Sequence, residues 1–312
     1  MLTRRGVLGR TLGLAGITAA GAATAAGAGA AVLGTARSAG ARGEPLVGPV
    51  ADDALHVMTY NLRAPQPGTA PGEADHWPDR APLAGRLLAA EHPHLVGLQE
   101  VCEPHLDVVA DALPGHRLLG LDFGPDTLAG RPVLAYDTDR FDLLDVEQHA
   151  LSETPEEPTT HGWGAMFPRS VLLARLADRT TGRELLAVDT HFDHRSEFAR
   201  VQSATMIRDG LAKVDVPVVL LGDLNVPVDA SLPAAVLAGA GLRDAWVAAA
   251  RRRTPEWGTF PSYGEPEEGG RRIDGVLVPA RVAVLAAAVN ATSYDGAWPS
   301  DHLPVQAVLR LA

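Results

Sequence analysis

The chain holds one cysteine, Cys102, and one lysine, Lys213, in 312 residues. A lone cysteine excludes an intrachain disulfide and any multi-cysteine zinc site. The near absence of lysine reflects a bias toward arginine and carries no information about phosphate. No internal repeat is present, and no linker long enough to divide the body. No Gly-x-Ser-x-Gly elbow occurs, which leaves Ser170 and Ser300 without the setting of a serine hydrolase. Positive charge is also short: 27 basic residues face 38 acidic ones, a net of −11. The first 41 residues contain Arg4, Arg5, Arg10 and Arg37 and no acid, so the remainder carries 23 basic against 38 acidic residues, a net of −15. Such a body is a poor general binder of nucleic acid or anionic membrane, since both need a positive surface. It does not exclude phosphate chemistry, because clustered carboxylates can hold a cation that then faces the phosphate. With 46% hydrophobic and 21% charged residues, wholesale disorder is excluded.

Residues 1–41 read as an export signal. Thr3-Arg4-Arg5-Gly6-Val7-Leu8 is a twin-arginine pair, Leu12 to Leu33 is uncharged and rich in Gly and Ala, and Ala39-Gly40-Ala41 offers a small-x-small cleavage site. An uncleaved membrane anchor is the alternative, the apolar run being long enough to span a bilayer. Export in the folded state suits a domain with no cysteine pair to oxidise. The expected location is secreted or extracytoplasmic. Residues 42–53 read as a flexible leader, and 54–312 as one α/β catalytic domain.

Within that domain strands and helices alternate. Strands are expected near 55–62, 95–98, 117–121, 132–136, 141–147, 170–176, 184–190, 217–221, 273–278, 282–289 and 304–311. Helices are expected over 80–91, 104–112, 198–214 and 231–240. The third has Phe198, Val201, Ala204, Ile207, Leu211 and Val214 at helical spacing. Residues 153–168 and 251–270 read as polar loops, and the basic runs Arg251-Arg252-Arg253 and Arg271-Arg272 as solvated loop rather than a track for a phosphate chain.

Five groups of reactive side chains follow apolar runs: Asn61, Glu100, His191 with Asp193 and His194, Asp223 with Asn225, and Asp301 with His302. Strand ends are where α/β domains place their sites. Singly, each is as readily a turn or loop residue; together and in order they point to one site. His191-x-x-His194 with an acid also allows a zinc reading, although the spacing lies after a strand rather than on a helix.

Met58-Thr59-Tyr60-Asn61-Leu62, Val96-Gly97-Leu98-Gln99-Glu100-Val101, Asp189-Thr190-His191-Phe192-Asp193, Leu221-Gly222-Asp223-Leu224-Asn225 and Ser300-Asp301-His302-Leu303-Pro304-Val305 resemble, in this order, the motifs of the endonuclease/exonuclease/phosphatase superfamily. The resemblance runs from about residue 54 to 311. Trp77 with Arg80, Leu151 to Pro155, Gly162-Trp163, Pro168-Arg169 and Arg272-Ile273-Asp274 resemble further segments of bacterial members. One departure stands out: relatives carry a Glu a few residues before a Tyr that resembles Tyr136, whereas Ala129-Gly130-Arg131-Pro132-Val133 has no acid.

The resemblance implies a four-layer α/β sandwich, two packed mixed β-sheets flanked by helices. It implies a hydrolase of phosphoester bonds that uses Mg²⁺, with Mn²⁺ as an alternative. Hydrolysis of this kind needs charge neutralised on the phosphoryl oxygens, a water in line and a stabilised leaving oxygen. Glu100, Asn61 and Asp301 are the metal candidates, since Mg²⁺ takes one or two carboxylates and keeps its waters. His302 is the general base or the group that meets developing charge, and either Asp301 or Asp223 holds its ring. Asp223 orients water, while Asn225 and His191 donate to phosphoryl oxygens. Arg169 is a phosphate clamp or a solvated loop residue; Asp274 is a site residue or a structural buried acid. Asp193, His194 and Tyr136 stand behind these. Trp163, Trp257 and Trp298 line a pocket or pack in the core. Among substrates a small phosphoester or lipid head group is favoured over nucleic acid; a secreted nuclease and an inactive binding domain are the alternatives.

Overall fold

The computed structural model describes residues 44–120 and 131–311. The export signal, the ends of the leader and domain at 42–43 and 312, and the acid-free segment at 129–130 lie outside the described residues. The elements, in chain order, are β1 (Leu55–Asn61), α1 (Trp77–Glu91), β2 (Leu95–Val101), α2 (Glu103–Ala112), β3 (His116–Leu119), β4 (Arg131–Asp137), β5 (Phe141–Ala150), β6 (Ser170–Asp178), β7 (Glu184–His191), α3 (Glu197–Leu211), β8 (Val218–Asp223), α4 (Leu232–Ala238), β9 (Leu242–Asp244), α5 (Ala245–Ala248), β10 (Asp274–Pro279), β11 (Ala283–Val289) and β12 (Val305–Arg310). No helix among the described residues is long and apolar enough to cross a membrane.

The strands form two six-stranded mixed sheets, ordered β11-β12-β1-β2-β4-β3 and β5-β6-β7-β8-β10-β9. Leu55, Val57, Leu95 and Leu134 of the first sheet pack with Leu172, Ala187, Val219 and Leu221 of the second in one core between them. The helices α1 and α2 cover the outer face of the first sheet through Leu87, Leu88 and Val109, and α3 and α4 cover the second through Ala204, Ile207, Leu211 and Leu237. This is the four-layer sandwich. Covering on both faces explains why β8 reads Val-Val-Leu-Leu without alternation. It also explains why β1 is buried at all seven positions although its sequence alternates: His56, Thr59 and Asn61 are polar side chains taken inside.

Each sheet has a parallel pair at its centre, β1 with β2 and β7 with β8, which sets their carboxyl ends side by side. The antiparallel neighbours start where these pairs end. Asp274, first in β10, lies opposite Asp223, last in β8, and β12 starts with Val305 opposite Thr59. Residues 299–304, just before β12, are thereby brought to the end of β1.

Three expectations change. The leader is not free from residue 46 on: the backbone N–H groups of Leu46, Val47 and Gly48 donate to the buried Glu91 carboxylate at 2.6–3.2 Å, and Val47 packs with Ala288 and Val308. Phe198 is 61% exposed, because the buried face of α3 runs through Arg200, Ala204, Ile207 and Leu211. Arg272 is buried, not solvated, with its guanidinium on Asp244, Asp229 and Glu256.

Candidate catalytic site

The parallel strand ends contribute most of the acids. Asn61 closes β1, fully buried, with its amide nitrogen 3.2 Å from Glu100 Oε1 and 3.0 Å from Asp223 Oδ2. Its oxygen accepts from the Arg63 backbone N–H at 2.9 Å. Glu100 follows Gln99, the partner of Asn61 in register, and by strand alternation would point to the other face. A bulge between Leu98 and Val101 and a left-handed φ of 57° at Glu100 re-aim it. Its second oxygen accepts from Ala64 N at 2.8 Å. Asn225 also has a left-handed backbone, which turns the chain sharply after Asp223; its N–H donates to Asp223 Oδ1 at 2.8 Å.

Of the two acids expected to hold His302, Asp301 does not reach its ring and Asp223 makes only the longer contact; the main partner is Asp274. The ring Nδ1 lies 2.9 and 3.1 Å from the two oxygens of Asp274, and 3.7 Å from Asp223 Oδ2. Asp301 turns the other way, accepting from Ser300 Oγ at 3.3 Å and facing Arg63 Nε at 3.5 Å. Spacing misled because Asp274 is 28 residues away and arrives through the β10–β8 pairing. Burial alone would lower the His302 pKa; the charges of Asp274 and Asp223 outweigh it and raise it to about 10. Burial, then the Asp274 charge, raise Asp223 to about 7. Asp301 is also raised, by burial and by the Glu100 charge, against the pull of His302 and Arg63.

His191, last in β7 and opposite Asp223, has Nδ1 at 2.9 Å from Arg169 Nη1. An arginine only donates, so Nδ1 accepts and the proton sits on Nε2. Burial and the Arg169 charge hold the His191 pKa well below the ordinary value, so the ring is neutral. Its Nε2–H therefore faces the acids, 3.4 Å from Asp223 Oδ2. Asn225 Nδ2 donates to Phe192 O at 2.9 Å; it lies 3.0 Å from the same imidazole nitrogen, a donor against a donor in this tautomer, so no hydrogen bond joins the two. Arg169 is thus neither a solvated loop residue nor an open clamp: it is buried behind His191, which it orients.

The other expected residues lie apart from the acids. Asp193 accepts from the backbone of Arg195, Ser196 and Met166, tying the 162–169 loop to the start of α3. His194 is exposed and stacks on Phe167, so the His-x-x-His pair does not converge on one ion. Tyr136 pairs with Leu95, at the far end of β2 from Glu100, and belongs to the inter-sheet core with Trp298. Trp257 is partly buried against that core.

Sequence reasoning missed the loop that holds the imidazole pair. Thr259, fully buried, accepts through Oγ1 from Ile273 N and Asp274 N at 2.9 and 3.1 Å, and its backbone bonds Arg271 O and Leu303 N. Phe260 beside it is exposed with its ring centroid 4.7 Å from that of His302. On the other flank Arg63 is bound to Asp75, which also accepts from Tyr263 OH at 2.7 Å, and the buried Arg80 donates to Leu62 O, Arg63 O and Pro299 O. Arg80 is marked with Trp77 by the resemblance to bacterial members; only their neighbourhood to the motifs marks the others.

Two donor groups invite a cation. Asp223, Asp274 and His302 place ligand atoms within 4.8 Å of one another. There, however, the imidazole is raised into its protonated form and committed to Asp274, and a protonated ring does not ligate. Glu100 and Asp301 present carboxylate oxygens, with the Asn61 amide beside them, and a hard dication there would offset the burial and the Glu100 charge that raise Asp301.

No curated protein matches this chain. A crystal structure of an endonuclease/exonuclease/phosphatase family protein from Bacteroides thetaiotaomicron is 28% identical, covers 83% of this chain and 98% of its own, and superposes with a TM-score of 0.76. The mannosyl-6-phosphatase of the same organism is 29% identical, with 82% and 99% covered and a TM-score of 0.75. D. rerio TDP2, complexed with a single strand DNA product, is 16% identical with 82% and 98% covered and a TM-score of 0.62, and shares the fold. The model of the Endonuclease/Exonuclease/phosphatase family matches residues 58–302, from the strand that carries Asn61 to the imidazole itself, and the chain belongs to that family.

Proposed function

We propose that this protein is an exported, divalent-metal-dependent hydrolase of phosphoester bonds. The observation that carries the reading is geometric: Asn61, Glu100, His191, Asp223, Asp274 and His302 converge at the strand ends of the two sheets. Asp223, near its own pKa at neutral pH, takes the proton from an in-line water. His302, held charged by Asp274, meets the charge that spreads on the phosphoryl oxygens. His191 donates to those oxygens from Nε2, its tautomer fixed by Arg169, and Asn225 adds an amide donor. Glu100, Asp301 and Asn61 would hold Mg²⁺ or Mn²⁺, Asn61 by turning its amide over; the ion supplies Lewis acidity toward the phosphoryl and leaving oxygens.

A small phosphoester fits better than a long polyanion, because the body carries a net of −15. The likeness to a mannosyl-6-phosphatase at 29% identity supports sugar phosphates among such substrates. The twin-arginine segment supports export. The test is a panel of sugar phosphates, inositol phosphates, phospholipids and nucleic acids on residues 44–312 with Mg²⁺, Mn²⁺ or Ca²⁺. Turnover is expected to vanish in EDTA and return with Mg²⁺ or Mn²⁺. His302→Ala or Asp223→Ala is expected to lower kcat by about 10²–10⁴ with the fold intact. Turnover at the parent rate in either variant, or indifference to chelator, overturns the assignment.

A further inference from the structure

Between the two sheets lies a buried acid that the proposed chemistry leaves unused. Asp189 of β7 is fully buried and accepts from Gln99 Nε2 of β2 at 2.7 Å. The same nitrogen donates to Thr59 Oγ1 of β1 at 3.0 Å. The remaining oxygens of the pair, Asp189 Oδ2 and Gln99 Oε1, are both buried with no hydrogen-bond partner. Two acceptors cannot bond to each other, and native interiors seldom leave such atoms unpaired. No hydrogen bond or ion pair joins Asp189 to a cationic side chain among the described residues. The sheets approach closely here: a Cβ on Gly97 would stand 2.8 Å from Asp189 Oδ1 and 2.6 Å from Leu221 Cβ.

We infer that Asp189 is a neutral carboxylic acid whose Oδ2–H donates to Gln99 Oε1, closing a two-bond ring with the Gln99 amide that staples the two halves of the site together. The single proton satisfies both orphaned oxygens and removes the need for a counter-charge. Burial pushes the Asp189 carboxyl well above the ordinary value, against the Gln99 amide and the nearby backbone N–H groups of Thr190, Val133 and Leu98, none of which stands in hydrogen-bond geometry to it. The staple's place in the chain gives it its consequence. Thr59 stands two residues before Asn61, Gln99 one before Glu100, and Asp189 two before His191. One buried cluster therefore sets three strand ends that belong to two different sheets. Asp189 acts as a positioning residue, and that part rests on the hydrolase reading above.

Asp189→Asn keeps both bonds, its amide N–H replacing the acid O–H, whereas Asp189→Ala removes them. The infrared difference spectrum between the metal-free parent and Asp189→Asn at neutral pH is expected to show loss of a protonated carboxyl C=O band; loss of a carboxylate band instead overturns the neutral state. On the best substrate of the panel, Asp189→Asn is expected to stay within about 2-fold of the parent kcat, and Asp189→Ala to fall about 10–100-fold with little change in KM, as for supporting groups behind a site. If the Asn variant falls as far as the Ala variant, or a folded Ala variant runs at the parent rate, the staple is refuted. Should Asp189→Ala not fold, the Asn variant and the infrared band still decide. Should the parent hydrolyse no phosphoester, the functional reading fails while the infrared result stands or falls alone.

Discussion

His302 keeps its proton at neutral pH because Asp274 and Asp223 flank its Nδ1. That raised pKa has a worked sign. A histidine whose folded pKa lies above its unfolded value contributes stability that is full below about 6.5 and is lost as pH rises through about 10. In the metal-free protein the imidazole ¹⁵N signals of His302 are therefore expected to report the charged ring at pH 8, and Asp274→Asn to bring its titration midpoint down. A neutral ring at pH 8 in the parent contradicts the arrangement. At this scale the sequence was informative where a reactive residue closes an apolar strand, as Asn61, Glu100 and Asp223 do, whereas His302 stands before β12 and is marked by its motif. It was uninformative about partnership. Asp274 reads as a single acid in a basic stretch, and nothing in its neighbours announces that antiparallel pairing will set it opposite Asp223.

The elements determine which way each group points. Strand β2 would hide Glu100 if it ran regularly, and the bulge after Leu98 is what turns the carboxylate toward Asn61. The strand needs Gly97 just before it for a different reason, the close approach of β7 and β8. Gly97→Ala is accordingly expected to destabilise the protein by about 1–3 kcal/mol through overpacking, measured as a lowered denaturant midpoint at unchanged m. An unchanged midpoint contradicts the contact. Helix and strand positions followed from periodicity, since apolar spacing fixes the buried face of α3 at Ala204, Ile207 and Leu211. The 251–270 segment escaped because its order rests on single groups. Thr259 alone fixes the start of β10 and the stretch after His302, and a lone threonine among Gly, Pro and Glu carries no periodic signal.

Over the whole molecule the site is shared: Asn61, Glu100 and Asp301 belong to the first sheet and its approach, His191, Asp223 and Asp274 to the second. Its integrity depends on how the sheets sit on one another. The segment before β1 is tied to the first sheet through Glu91, whose carboxylate gathers three backbone N–H groups and the Asn290 amide at 2.9 Å. Glu91→Ala leaves buried donors unpaired at about 1–3 kcal/mol each. Calorimetry is expected to show a lower melting temperature both for Glu91→Ala and for a chain begun at residue 49, with a combined loss smaller than the sum of the two because they share the three backbone hydrogen bonds. Additive losses would mean that the carboxylate and the segment act separately.

The position of β12 has a last consequence, in the order of synthesis. This strand inserts between β11 and β1, and the residues just before it bring Asp301 and His302 to groups made earlier, Glu100, Asp223 and Asp274 among them. A growing chain, or one released short of residue 302, carries carboxylates and amides but no imidazole between Asp223 and Asp274. On the hydrolase reading, the site is complete only once the residues before β12 have been made and that strand has paired between β11 and β1.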